Sequence, residues 1–203
     1  DMQGVIDYHK AIGCDYIAVP YLSAEQRPGT PAFAGVLRTI YQFGCLCRDN
    51  GIQLLYHNHD FEFVSFSGMY ALDFLYAAMP EDVLKTEIDV CWVKYAGEDP
   101  AAYLRKYAGR APVVHLKDFV GRKEGDAAPY GLLGQSETKA AGEVPFEFRP
   151  VGYGCQDVSA VAEAGLDAGA KWFVVEQDAS VGRTPLEAAA MSIDTLRKIG
   201  LKG

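Results

Sequence analysis

Apolar and polar positions along this chain follow two alternating rhythms. Between residues 2 and 12 the apolar residues Val5, Ile6 and Ile12 recur at helical spacing, and Gly13 stands where a glycine commonly ends a helix. YIAVP, residues 16–20, is a short unbroken apolar run that reads as a strand stopped by its proline. Helical rhythm returns over residues 31–50, with Phe33, Val36, Leu37, Ile40, Phe43 and Cys47 on one stripe, and Asn50-Gly51 closes it. IQLLYH (52–57) is the next predicted strand, 69–79 a helix ended by Pro80, and LKTEIDV (84–90) a strand. A short helix over 100–107 opens on Pro100, a typical first-turn proline. PVVHLKD (112–118) is a strand, 158–169 a helix capped by Asp157, KWFVVEQD (171–178) a strand, and 185–199 a closing helix before Gly200.

Strand and helix thus alternate five times, and the strands are continuous apolar runs, as parallel strands buried on both faces require. A (β/α)8 barrel and an open doubly wound sheet both fit this pattern. The polar residues favour the barrel, because His57, Asp89, His115 and Glu176 each close a predicted strand. Barrel chemistry gathers at the C-terminal ends of several strands. A dinucleotide site would want G-x-G-x-x-G after the first strand, whereas Gly152-Tyr153-Gly154 lacks the third glycine and follows the wrong element. Residues 119–154, dense in Gly and Pro, read as one long loop over the barrel mouth. Arg122 and Lys123 in that loop can meet a phosphate, although an isolated pair of this kind is commonly just solvated. No repeat or linker interrupts the pattern, so residues 1–203 are expected to form one domain.

Composition narrows the partners. A net charge of −8 argues against nucleic acid, and no apolar run is long enough to span a membrane. The start DMQGVIDYHK lacks the basic flank and apolar run of a signal peptide. The five cysteines are irregularly spaced with no paired C-x-x-C, which predicts structural thiols in a reducing, cytoplasmic compartment.

YHNHDFEF (56–63) then stands out, because it spends two of only four histidines at a strand end. Side chains alternate along a strand, so Leu55, His57 and His59 share a face, as do Glu87 with Asp89, His115 with Lys117, and Glu176 with Asp178. In a barrel, four strand ends can therefore aim His57, Asp89, His115 and Glu176 at one point. Two imidazoles and two carboxylates suit one divalent ion of the Mn, Co, Zn or Mg kind. Such an ion can bind neighbouring oxygens of a hydroxy-carbonyl substrate, acidify the C–H between them and hold the enediolate, while a carboxylate moves the proton. Plainer roles exist for each residue. A lone strand-end histidine can be a satisfied polar group, Asn58-His59-Asp60 a turn, Asp89 the cap of a following segment, and Glu176 and Asp178 surface partners of Arg183. That four strands end in this way weighs toward the metal.

YHNHDFEF, EIDVCWVKYAGEDPAAYLRKYAGRAPVVHLKD, VGYG and WFVVEQD follow one another over nearly the whole chain. Together they resemble the sugar phosphate isomerase/epimerase family, xylose isomerase-like barrels whose superfamily also holds tagatose epimerases, inosose dehydratases and AP endonucleases. The resemblance implies a (β/α)8 barrel with a divalent metal at its C-terminal mouth, held by the last four strands. Carried over, the ligands are Asp89 of EIDV, His115 of VVHLKD, Glu176 of VVEQD and His57 of YHNH, with His59 the competing choice. Glu176 becomes the base, His57 stands beside it in the chemistry, and His59 meets the substrate. Lys117 polarises a carbonyl or holds a leaving oxygen, and Trp92 stacks on a sugar ring; a rim charge and core packing are their plain alternatives.

The sequence departs from the family pattern twice. Epimerase relatives carry a glutamate at the position of His57, one of two bases on opposite faces of the substrate. A histidine there weakens two-base epimerisation and leaves isomerisation, or elimination of a β-substituent. Second, DMQGVIDYHKAIG resembles the helix before the fourth strand, so the first three βα units are expected to be absent. A piece of a longer protein, or a chain closed by a partner and possible as a homo-oligomer, is then expected, because open sheet edges are a liability. The expected activity is a metal-dependent isomerase or epimerase on a small-molecule sugar. The alternatives are a metal-dependent lyase or dehydratase on a keto-sugar, inositol or keto-glycoside, and a non-catalytic carbohydrate-binding barrel. The acidic charge sets a nuclease aside.

Overall fold

A computed structural model of the chain describes residues 1–121 and 146–201. Five strands form one all-parallel sheet in the order β1 (Tyr16–Val19), β2 (Gln53–His57), β5 (Lys85–Asp89), β6 (Val113–Leu116) and β9 (Trp172–Val175). Helices α1 (Met2–Ala11), α2 (Phe33–Asp49), α3 (Ala71–Ala77), α5 (Pro100–Lys106), α6 (Val158–Asp167) and α7 (Pro185–Lys198) run between and beside them. The sheet is a parallel arc with the strand and helix order of part of a (β/α)8 barrel.

Alternation along the strands separates core from lumen. Leu54, Tyr56, Ile88, Val114 and Leu116 belong to the main apolar core with Ile40, Cys47, Leu72, Leu75, Leu104, Val161 and Leu196 of the helices. Each fully buried Leu or Ile there contributes about 1.5–3 kcal/mol. The other parity carries Leu55 and His57, Glu87 and Asp89, Val113 and His115. Register then sets the site: His57 pairs with Glu87, and Asp89 with His115.

Several elements differ from the expectation. Residues 69–79 do not form one helix. β4 (Met69–Tyr70) pairs antiparallel with β3 (Ser65–Phe66), and α3 starts at Ala71. Ser67 and Gly68 between those strands both have positive φ, the geometry of a tight hairpin turn, and that local chemistry overrides the apolar rhythm. A further helix, α4 (Val90–Tyr95), follows Asp89 directly, because the Asp89 carboxylate caps it by accepting from the amides of Cys91 and Trp92. The ends of the expected 119–154 loop form a two-stranded ribbon of β7 (Asp118–Val120) and β8 (Glu147–Arg149). Arg122 and Lys123 lie outside the described residues.

β9 is not buried on both faces. Trp172 is 61% exposed and Val174 41%. Among the described residues β9 pairs with β6 alone, and by register these residues share the parity of Val113 and His115 on the open lumen side. All five cysteines are free thiols. Among the described residues no helix is long and apolar enough to cross a membrane.

Candidate functional site

The lumen layer at the C-terminal strand ends gathers most of the expected residues. One ligand atom each from His57, Asp89 and His115 lie within 4.8 Å of one another, and all three residues are buried. His57 Nε2 is 3.5 Å from Asp89 Oδ2, and His115 Nδ1 is 3.7 Å from that same oxygen. Glu176 comes in from the end of β9, with Oε2 3.6 Å from His115 Nδ1. Lys117 is buried rather than a rim charge. Its ammonium is ion-paired with Glu176, 3.1 Å from Asp178 and 3.6 Å from Asp89. Asp178 therefore turns inward to Lys117, where the surface alternative had placed it with Arg183.

Sequence reasoning gave Glu87 no role beyond its shared face with Asp89. The structure sets its Oε1 3.4 Å from His57 Nδ1 and 3.8 Å from His115 Nδ1. Asn58 is a second omission. Its side-chain amide clasps the backbone of Asp89 through both atoms, accepting from the amide at 3.0 Å and donating to the carbonyl at 3.3 Å. No periodicity announces such a cross-strand clasp, although Asn58 does take the face opposite His57, as alternation requires. Asp89 caps α4 through Oδ1, while Oδ2 faces the histidines.

His59 stands outside the three-residue cluster. Its ring stacks between Phe61 and Trp92, at centroid distances of 5.4 Å on each side, and meets His57 edge-on at 5.2 Å. Trp92 stacks in turn on Phe146 at 5.9 Å, and the Lys117 ammonium lies 5.7 Å from the Trp92 ring. Trp92 is thus buried in aromatic packing beside the site.

Four carboxylates, of Glu87, Asp89, Glu176 and Asp178, face one ammonium and two imidazoles. Burial resists charging of His57, but the hydrogen bond to Glu87 and the charges of Asp89 and Glu87 outweigh it and raise its pKa. Burial prevails at His115, which is lowered, and at His59, which burial and the neighbouring His57 and Lys117 push down to about 2. Lys117 loses hydration to burial, yet Asp89, Asp178 and Glu176 hold its pKa above the usual value. Burial works against the Glu176 charge, and Lys117 overcomes it, so that carboxylate is held below its usual range.

The donor set fits a small divalent ion. Ligand atoms held about 2.1 Å from a four-coordinate ion lie about 3.4 Å apart. The His57–Asp89, His115–Asp89 and His115–Glu176 separations are 3.5, 3.7 and 3.6 Å, a little longer than that and too long for mutual hydrogen bonds. Asp89 Oδ2 and His115 Nδ1 are buried and make no hydrogen bond among the described residues. Buried polar atoms are rarely left so.

A partial barrel with its polar residues at the C-terminal strand ends defines the class. The chain matches the model of the xylose isomerase-like TIM barrel family over residues 1–199, and it belongs to that family. No functionally curated protein matches it in sequence. Among solved structures it is similar to a sugar phosphate isomerase/epimerase from Parabacteroides distasonis, at 20% identity and TM-score 0.72, over 97% of this chain and 62% of that one. It is also similar to the zinc-bound IOLI protein, at 15% identity and TM-score 0.69, over 98% of this chain and 67% of that one. A third likeness is to the probable 3-DHS dehydratase AsbF of Bacillus anthracis, at 11% identity and TM-score 0.67, over 96% of this chain and 68% of that one. The chain thus spans about two thirds of the length of these structures.

Proposed function

We propose that residues 1–203 form one domain that binds a divalent ion on His57, Asp89 and His115, with Glu176 completing the ligand set or acting as base, and that it catalyses enolising isomerisation of a small sugar. The observation that carries this reading is the convergence of those three donors within 4.8 Å. When bound, the ion would hold adjacent oxygens of a hydroxy-carbonyl substrate and acidify the C–H between them. Glu176, kept ionised by Lys117, takes the proton from that carbon. Lys117 donates to the substrate oxygen on which charge collects, and Asp178 keeps it aimed.

One observation weakens two-faced epimerisation and leaves elimination of a β-substituent from a keto-sugar or keto-glycoside as a second reading beside isomerisation. Among the described residues, the other carboxylates near Glu176 are engaged: Glu87 with His57 and Asp178 with Lys117. Glu87 and Asp178 are thereby given to positioning, and one base beside one ammonium suits isomerisation or elimination equally. The names of the neighbours, isomerase/epimerase and probable dehydratase, span both outcomes.

The test is to load the protein with Mn, Co, Zn or Mg, measure bound ion by elemental analysis, and incubate it with keto-sugars and keto-glycosides in D2O. Deuterium gained at the carbon beside the carbonyl marks enolisation, and loss of water or an aglycone marks elimination. Glu176→Gln is expected to slow exchange at least about 100-fold. Equal exchange by Glu176→Gln removes Glu176 as the base, and neither ion nor exchange in the native protein leaves only a non-catalytic carbohydrate-binding barrel.

A further inference from the structure

Glu87 is absent from the catalytic scheme above, yet it sits among its parts. Parallel register places it beside His57, one layer below the Asp89–His115 pair. Its Oε1 lies 3.4 Å from His57 Nδ1, within hydrogen-bond range, whereas His115 Nδ1 is out of range at 3.8 Å. The opposite ring nitrogen of His57, Nε2, is the one that faces Asp89 Oδ2. A neutral imidazole carries one proton, and a carboxylate can only accept. A carboxylate at Nδ1 therefore places the proton there and leaves the Nε2 lone pair pointing at the shared centre. His115 is arranged the other way round, with Nδ1 itself toward Asp89 and Glu176. The two rings thus enter the centre through different nitrogens, and only His57 has a carboxylate behind it.

We infer that Glu87 is a positioning residue: it holds His57 as the Nδ1–H tautomer and so presents Nε2 as a ligand. The inference rests on the metal reading proposed above for its purpose. The proton placement itself concerns the protein without any ion. Partners of this kind commonly change metal affinity 10- to 100-fold when removed.

Two variants separate this role from its rivals. Glu87→Leu removes the acceptor at similar volume, and Glu87→Gln keeps an oxygen that can accept from Nδ1–H while giving up the negative charge a metal ligand would supply. Long-range 1H–15N NMR of the metal-free protein, above the imidazole titrations, reads which nitrogen of His57 is protonated. Calorimetry with Zn2+ alone reads affinity. Native protein and Glu87→Gln are expected to show the Nδ1–H form. Glu87→Leu is expected to shift toward Nε2–H and to bind Zn2+ about 10- to 100-fold more weakly. An unchanged tautomer in Glu87→Leu overturns the inference. So does a Glu87→Gln that keeps the tautomer but loses as much affinity as Glu87→Leu, since Glu87 would then be a ligand. Failure of the native protein to take up Zn2+ sinks the metal reading alone, and the tautomer comparison still decides what Glu87 does.

Discussion

Glu62 is fully buried where the chain leaves β2, and its carboxylate accepts from the Tyr56 hydroxyl at 2.6 Å and the His59 amide at 2.8 Å. Burial outweighs both hydrogen bonds and pushes its pKa up to about 7 from 4.5. A raised carboxyl pKa means that the folded chain holds a proton that the unfolded chain releases. Stability is therefore full below about 4.5, declines as pH rises toward 7, and levels off above it. The span corresponds to about 3 kcal/mol as an upper figure. Urea unfolding across that window should show the decline, and Glu62→Gln should flatten it even though the amide fits the two donors less well. A Glu62→Gln profile as steep as the native one removes Glu62 as the cause. At this same scale the sequence was readable in an unexpected way at Asp89. The cap was one of two roles posed for it; Oδ1 makes that cap, and Oδ2 is left facing His57. Glu87 and Asp178 were not readable, because a charged residue on a lumen face shows its face but not its partner.

At the scale of elements, Asp118 of β7 ties the turn after β8 back to the ribbon. Its buried carboxylate accepts from the amides of Phe119, Gly152, Gly154 and Gln156, at 2.9, 2.9, 3.0 and 3.1 Å. Gln156 reaches on to the Val90 carbonyl at 2.8 Å, so the turn after β8 is bound to the start of α4. A Cβ on Gly154 would collide with the Asp118 carboxylate and the Phe119 carbonyl, which is why a glycine stands there. Asp118→Ala should cost about 1–3 kcal/mol, since it orphans the buried Phe119 amide, while Gly152 is exposed and Gly154 and Gln156 are half-buried. Hydrogen exchange at Gly152, Gly154 and Gln156 should accelerate in step. Gly154→Ala should reproduce both effects, and native-like exchange in both variants would show that the carboxylate does not hold the turn. VGYG was recognisable as a motif, but the residue that organises it lies more than thirty positions earlier, beyond any local rhythm.

For the whole molecule, β1 and β9 each pair on one side only among the described residues, and β9 leaves Trp172 and Val174 exposed toward the lumen. Unpaired edges beside exposed apolar side chains template association. The 203-residue chain made alone should therefore sediment with a mass that rises with concentration, despite the net charge of −8 that opposes contact. Val174→Lys should lower that tendency without altering the far-UV circular dichroism. A native chain that stays monomeric at every concentration would show that the open arc is tolerated as it is.

The alternation of β and α, the parallel sheet and the lumen faces of four strands were all legible in the sequence, because periodicity 2 and 3.6 is local and each strand end carries its own polar residue. Family membership followed from motif order, and the family match over residues 1–199 agrees with it. Tertiary structure alone decided which donors meet. Register brought Asp89 beside His115 and Glu87 beside His57, burial turned Lys117 into the partner of three carboxylates, and ring stacking drew His59 out of the cluster. Those outcomes depend on distances between segments far apart in the chain, and no local pattern encodes them.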